Sequence, residues 1–316
     1  MTGRLRPHHV LVCLLLGGHI GGVLAKTRVP DLPRWQVLEF EQRAFWATAA
    51  SRVELTPAGP EQSRWLLHAD SSVADNSEQI TLLLAARNGA VLQRERLSHG
   101  NEEQRYKLYD YRTDSILRER REPRGQAAAP PREWPLSSRR EIDYPEAAHA
   151  TAITADYALL PLADRFNAGD AQSAEILVHT DLNFYRVRMS RGHGITVDAD
   201  FQIIGGEHVA GQRATQSVTL QVTPVGTQQD EPDFSLLGLY GRITILFDEA
   251  TGLPLQLRGT APRLGAAHIN LRAVQMRDDL TWGGRLQDGS IDQRATPQPA
   301  TPQPATPQPA TPDPAR

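Results

Sequence analysis

The sequence predicts a mainly β protein: a curved antiparallel sheet or open β-barrel with one principal helix over about residues 156–168. Two observations carry that prediction. Short apolar–polar alternations recur along the chain between turns rich in Gly, Asn and Asp, and one stretch alone combines helical spacing with start and stop signals. A third observation sets the limits. Proline-rich segments at 122–145 and from Ala295 onward break the pattern and bound what can fold as sheet.

The first 25 residues read as an export signal. Arg4 and Arg6 precede the apolar stretch Val10–Leu16 and a looser run to Ile20, and Val23-Leu24-Ala25 offers a cleavage site after Ala25. The apolar run contains His19 and several glycines and is shorter than the roughly 20 apolar residues of a spanning helix. The mature chain is therefore expected to be periplasmic or secreted, with no transmembrane segment. Cys13 is the only cysteine and lies within the signal, and Lys26 stands where a lipoprotein would need its cysteine. The mature chain then has no thiol, disulfide or thiolate metal ligand. The formal net charge of −3 becomes more negative once Arg4 and Arg6 are removed, and Lys26 and Lys107 are the only lysines. A mildly acidic chain makes nucleic acid a poor partner.

Residues 26–121 form an N-terminal β part. Segments 35–41 and 44–55 alternate loosely around Trp35, Phe40, Phe45, Trp46 and Val53. Ile80–Ala86 and Val91–Leu97 flank Asn88-Gly89, a hairpin signal, although Leu82–Ala86 also suits a helix capped by Asn76 or Ser77. Tyr106–Tyr111 and Ser115–Arg120 form a second hairpin about Thr113-Asp114. Residues 122–145, with Pro123, Pro130, Pro131, Pro135 and Pro145, read as a loop or linker. The runs Arg118–Arg121 and Arg139-Arg140 make this region locally basic, as a solvated face or a contact for anionic head groups.

Residues 146–280 carry the helix and a β meander, folding with 26–121 as one domain. Thr154 or Asp156 caps the helix, Pro161 falls in its first turns, and Gly169 stops it. Strands follow at 174–179, 184–189, 195–200, 217–223, 242–247, 253–258 and 268–274. Gly192, Gly194 and Gly226 serve as turns, and Ile204-Gly205-Gly206 as a bulge or turn. The tail, 281–316, repeats Ala-Thr-Pro-Gln-Pro three times. Its prolines forbid helix and ladder, leaving a disordered, extended spacer with no part in the fold.

Three segments together carry a family resemblance. They are Arg105–Ile116 after Leu97-Ser98-His99-Gly100; Asp156–Asp170, ending in an Asn-Ala-Gly-Asp turn; and Ile243–Asp248 running through Leu253-Pro254-Leu255-Gln256-Leu257 to Leu264-Gly265 and Ile269-Asn270-Leu271. In this order the chain resembles the DUF3108 domain family of exported bacterial proteins over roughly 35–278. The resemblance implies a periplasmic β-rich fold akin to the open barrels of lipoprotein and lipid carriers, and it brings no catalytic residues.

The residues themselves offer little chemistry. No Gly-x-Ser-x-Gly elbow, P-loop or His-Glu-x-x-His helix is present. The mature histidines (His68, His99, His149, His179, His193, His208 and His268) are scattered, and a metal site would have to combine distant ones such as His179, His193 and His208. Asp198 with Asp200, and Glu39 with Glu41, share strand faces. That pattern fits a solvated face, and it suits glycosidic chemistry only if burial separates the two pKa values. No cofactor, metal or enzymatic activity is expected. The aliphatic faces are the more useful signal, because a sheet that one helix cannot cover leaves an apolar groove. Its lining would come from Tyr185, Val187, Met189, Val218, Leu220, Val222, Ile243, Ile245, Phe247, Leu255 and Leu257; the alternative is an ordinary closed core. The expected function is non-enzymatic binding of a lipid or other apolar envelope component. An envelope assembly factor acting through protein contacts comes second, and an envelope-polymer hydrolase third.

Overall fold

A computed structural model describes residues 32–44, 47–100, 103–148, 151–228, 232–262 and 264–277. The expected signal segment, Phe45, Trp46, His149 and the repeat tail lie outside these residues.

The N-terminal half is an up-and-down meander of eight strands: β1 (Trp35–Ala44), β2 (Ala47–Ala58), β3 (Arg64–Val73), β4 (Asn76–Ala85), β5 (Val91–His99), β6 (Gln104–Tyr111), β7 (Ser115–Arg121) and β8 (Leu136–Asp143). The two-residue period of a strand explains the faces. In β3, Trp65, Leu67 and Ala69 are buried between half-buried or exposed neighbours, and in β4 Ile80, Leu82 and Leu84 are buried in the same alternation. This alternation also decides Leu82–Ala86: the segment pairs residue for residue with β3, as strand and not helix. The Asn88-Gly89 turn is longer than a two-residue hairpin. Gly89 takes φ +71° and its N–H donates to the Ala85 carbonyl.

The second half comprises β9 (Ile153–Thr154), the helix α1 (Leu159–Ala168), β10 (Ser173–His179), β11 (Phe184–Ile203), β12 (His208–Val225), β13 (Tyr240–Asp248), β14 (Pro254–Ala261) and β15 (Gly265–Met276). All fifteen strands form one sheet in which β1 pairs antiparallel with β15, joining the two meanders into a single curved wall. At the ends of the wall, β8 and β9 carry the outer edges. Side chains close the seam between them: Tyr109, Ile116 and Ile142 from one side pack with Ile153, Leu177 and Phe184 from the other. Ile203 also pairs parallel with Val274, so β11 to β15 close a smaller ring within the wall. Among the described residues the class is mainly β with one α-helix.

The helix begins three residues later than expected, after a tight turn at Asp156–Ala158. Neither expected cap acts as one. Ala158 stands at the N-cap, Asp156 Oδ1 accepts from the Tyr157 N–H at 3.0 Å, and Thr154 Oγ1 donates to the Gly89 carbonyl at 2.7 Å. Leu159, Leu160, Leu162, Ala163 and Phe166 are buried in the same core cluster as strands of both halves, which makes α1 an internal plug.

Three expectations on strands are corrected. Arg64–Val73 is a strand that the sequence reading passed over. Residues 122–145, read as loop or linker, contain β8. Segments 184–189 and 195–200 belong to one strand, because Gly192 and Gly194 lie at a bend inside it and not at a turn. A Cβ at Gly194 would fall 1.6 Å from the Thr215 carbonyl oxygen and one at Gly192 2.8 Å from Ser217 Oγ, so glycine serves here for close approach of paired strands. The Ile204-Gly205-Gly206 turn is as expected, with Gly205 at φ +78° and the Gly206 N–H donating to Ile203.

Candidate functional site: the cleft at the open end

An up-and-down meander places alternate connections at the same end of the wall. The turns after β1, β3, β5, β10, β12 and β14 therefore gather at one end. At the other, α1 lies against the β4–β5 connection: Leu162 abuts Gly89, and Arg165 donates to the Ala86 carbonyl at 2.9 Å. The helix closes one end and leaves the other open.

The open end holds a cleft of about 650 Å³. One part of its wall is apolar, with Val73, Tyr157, Leu237, Pro262 and Leu264. Val73 and Leu264 are among the few large apolar side chains left exposed. Another part is a set of hydroxyls. Ser51 Oγ lies 3.0 Å from Ser71 Oγ, which lies 3.0 Å from Tyr157 Oη. The floor is charged, and each charge is held in place.

Arg94 on β5 is 1% exposed. Its Nη1 donates to the Thr180 carbonyl at 2.9 Å, Nη2 is 3.7 Å from Asp156 Oδ1, and the guanidinium carbon lies 5.3 Å from the centre of the Tyr109 ring. Burial is the largest influence and opposes the charge, but Asp156, Tyr109, Tyr111 and Glu78 together outweigh it and hold the pKa above the usual arginine value. Arg94 Nε finds no protein acceptor. Beside it, Arg96 contacts Glu78 Oε2 through Nε at 3.0 Å and Nη2 at 2.5 Å.

Asp181, in the β10–β11 turn, ties the seam together. It accepts from Lys107, from Tyr109 Oη at 2.5 Å and from Arg118 Nε at 2.7 Å. Burial alone would raise its pKa, yet Lys107, Tyr109 and Arg118 drive it well below the ordinary aspartate value. Burial lowers Lys107 to about 8, with Asp181 opposing, so the amine stays charged at neutral pH. Asp233 is fixed by uncharged donors: Thr180 Oγ1 at 2.6 Å, Tyr185 Oη at 3.0 Å, the Asp181 N–H at 3.0 Å and Asn183 Nδ2 at 3.1 Å. These hydrogen bonds outweigh burial and lower its pKa. Behind Arg94, His179 is fully buried, with Nδ1 2.9 Å from Tyr111 Oη. Burial first, and Arg94 second, push its pKa down to about 3, which keeps the imidazole neutral.

The residues proposed to line an apolar groove occupy other places. Tyr185, Val187, Met189, Val218, Leu220, Ile243, Ile245, Phe247, Leu255 and Leu257 are all buried in the main core cluster, and Val222 packs against it partly buried. The structure brings them together as packed interior. Of the cleft and its two neighbouring cavities, only a neighbour of about 530 Å³ touches any of them, at Leu255. That neighbour also collects Glu41, Asp198, Asp200 and His268. Its acids lie on solvated faces: Asp200 is 62% exposed and meets His208 at 2.8 Å and Arg272 at 3.1 Å. Glu39 lies 3.7 Å from Arg52 and Glu41 pairs with Arg43. Among the described residues, no group of three His, Cys, Asp or Glu side chains is placed to hold a metal ion, and no helix is long and apolar enough to cross a membrane.

The basic run at 118–121 divides between two roles. Arg118 turns inward to Asp181, while Arg120 pairs with Glu122 and Arg121 with Glu119. Sequence reasoning missed Arg94, Asp181 and Asp233. A signal existed for Arg94, since it stands in register with Leu82 on one side and Tyr109 on the other, both inward-facing.

Comparison with protein-family models and with curated proteins finds no match. Among solved structures, a β-barrel-like protein of the DUF1849 domain of unknown function, from Brucella abortus, aligns with a TM-score of 0.46 at 11% identity, covering 79% of this chain and 100% of that one.

Proposed function

We propose that the chain is an exported, non-enzymatic binding protein that holds a lipid-like, amphipathic molecule in the open-end cleft. One observation carries this reading: a cleft of about 650 Å³ that sets an apolar wall against fixed polar groups. That volume lies within the ~300–1,000 Å³ of small-molecule sites, and such sites combine apolar lining with a few placed polar groups. The ligand's apolar part lies against Val73, Leu237 and Leu264, and its polar part reaches the hydroxyls and Arg94. The burial of the strand-face residues in the core supports a binding place at the mouth.

Two measurements test this. Solvent extracts of the purified protein are analysed by mass spectrometry for bound lipid, and the neutral fluorophore N-phenyl-1-naphthylamine is titrated into delipidated protein. Saturable binding that is lost in Ser72→Trp, a substitution at the exposed rim of the cleft, is the expected result. No bound lipid and no saturable binding would refute the reading.

A second reading, an assembly factor working through protein contacts, is favoured by β8. Among the described residues no strand pairs with its outer edge, which carries exposed Arg139 and Arg140. An unpaired edge is a template for an added strand, and its charges deter self-association. Co-purification of an envelope partner that is lost in Arg140→Pro but kept in Ser72→Trp would favour this reading over the first.

A further inference from the structure

Resting on the binding reading above, we infer that the cleft selects an uncharged, hydroxyl-bearing head group, of the glyceride or glycolipid kind, over an anionic or cationic one. Every charge in the lining is already answered from within the protein. Arg94 faces Asp156 and the Thr180 carbonyl, and Arg96 is doubly bonded to Glu78. Asp181 holds two cations, and Asp233 is saturated by four donors. A carboxylate entering the cleft would lose its hydration and find both guanidinium groups already paired; an ammonium would lose its hydration and meet, outside the ion pairs, only Asp233, whose oxygens already hold four hydrogen bonds.

Groups that neither carry charge nor demand it are abundant. The chain Ser51–Ser71–Tyr157 offers hydroxyls that both donate and accept, and Ser72, Ser77 and Ser98 add more along the same wall. Arg94 Nε is buried behind that wall without a protein acceptor. A head group with several hydroxyls can satisfy these groups in both directions and leave the existing ion pairs intact.

The test uses the full mature chain and displacement of N-phenyl-1-naphthylamine by three ten-carbon probes: 1-monodecanoylglycerol, decanoate and decylamine. The expected result is half-displacement by the glyceride at a concentration at least tenfold below either charged probe, unchanged between 0.05 and 0.5 M salt. Glu78→Gln, which frees Arg96, should raise decanoate affinity about tenfold relative to the glyceride, both read by displacement of the same fluorophore. Decanoate or decylamine matching the glyceride in the unsubstituted protein, with the fluorophore bound, would overturn the head-group inference alone. Failure of the fluorophore itself to bind would remove the binding reading and this inference with it.

Discussion

The two ends of this barrel-like sheet are built from opposite kinds of chemistry. At one end α1 inserts Leu160, Leu162 and Phe166 among the strands, and its polar links run mostly to backbone carbonyls: Arg165 to Ala86 and Arg87, Arg191 to Phe166, Asn167 and Gly169, and, between side chains, Trp35 to Asp164. At the other end and along the seam, Lys107 and Arg118 pair with Asp181, whose N–H donates to Asp233, and Arg94 pairs with Asp156. An apolar plug is non-directional and needs only volume and pattern, so substitutions of similar size are absorbed. A buried ionic knot stabilises only while complete, because each missing partner strands a desolvated charge. The difference teaches which end tolerates substitution. The plug supplies stability, and the mouth fixes which side chains face the cleft.

The comparison breaks first at Asp181. Asp181→Ala leaves Lys107 and Arg118 without their shared carboxylate, and it should cost about 4 kcal/mol in denaturant unfolding. Asp181→Asn, which retains an acceptor for Tyr109, should cost less. At the plug, Leu160→Ala removes a fully packed side chain that makes no polar contact, for about 3 kcal/mol. The two should also differ in kind. Asp181→Ala should abolish naphthylamine binding at temperatures where the fold persists, whereas Leu160→Ala should lower stability and leave binding unchanged. Equal loss of binding in both would mean that the ends are not functionally separate.

The sequence reading made the class and most strands legible, and physics explains which parts escaped. Period-two alternation marks a strand with one face in the core, so β4, β6, β7 and β10 to β15 stood out. β8 escaped because five of its residues from Ser138 to Asp143 are exposed and prolines flank it. An edge strand buries too little to leave a pattern. Gly192 and Gly194 misled for a related reason, since glycine marks both turns and close approach, and only the partner strand decides between them. Gly194→Ala sharpens the distinction. A turn glycine would tolerate alanine if its φ allowed, but here the added Cβ collides with the Thr215 backbone, and the cost should be about 2 kcal/mol. The site was the least legible part. Arg94, Asp181 and Asp233 lie far apart in sequence, on a strand, in a turn and on the loop after β12, and only curvature of the sheet brings them together. The apolar residues chosen instead were the correct side of their strands, but the interior they line is filled.

The smallest expected effect is a dependence on pH that has opposite signs at the two ends. Asp164, on the plug helix, accepts from Trp35 Nε1 at 3.0 Å, and burial raises its pKa to about 7, with Trp35 opposing. The folded state therefore binds this proton more tightly than the unfolded chain, whose value is near 3.8. Asp164 contributes most below pH 4, loses that contribution as the pH rises towards 7, and is flat above. His179 works the other way. Its folded pKa of about 3 against 6.5 unfolded means that stability falls as the pH drops below 6.5. Asp164→Asn keeps an acceptor for Trp35 and removes the titration. Its stability relative to the unsubstituted protein should be near zero difference at pH 4 and about 1 kcal/mol greater at pH 8, a partly exposed carboxyl giving less than the full ~1.4 kcal/mol per pKa unit. His179→Gln should instead flatten the loss between pH 6.5 and 4. Unfolding curves of the two variants across that range separate the ends; a pH profile that moves in the same direction for both would show that one titrating network spans the barrel.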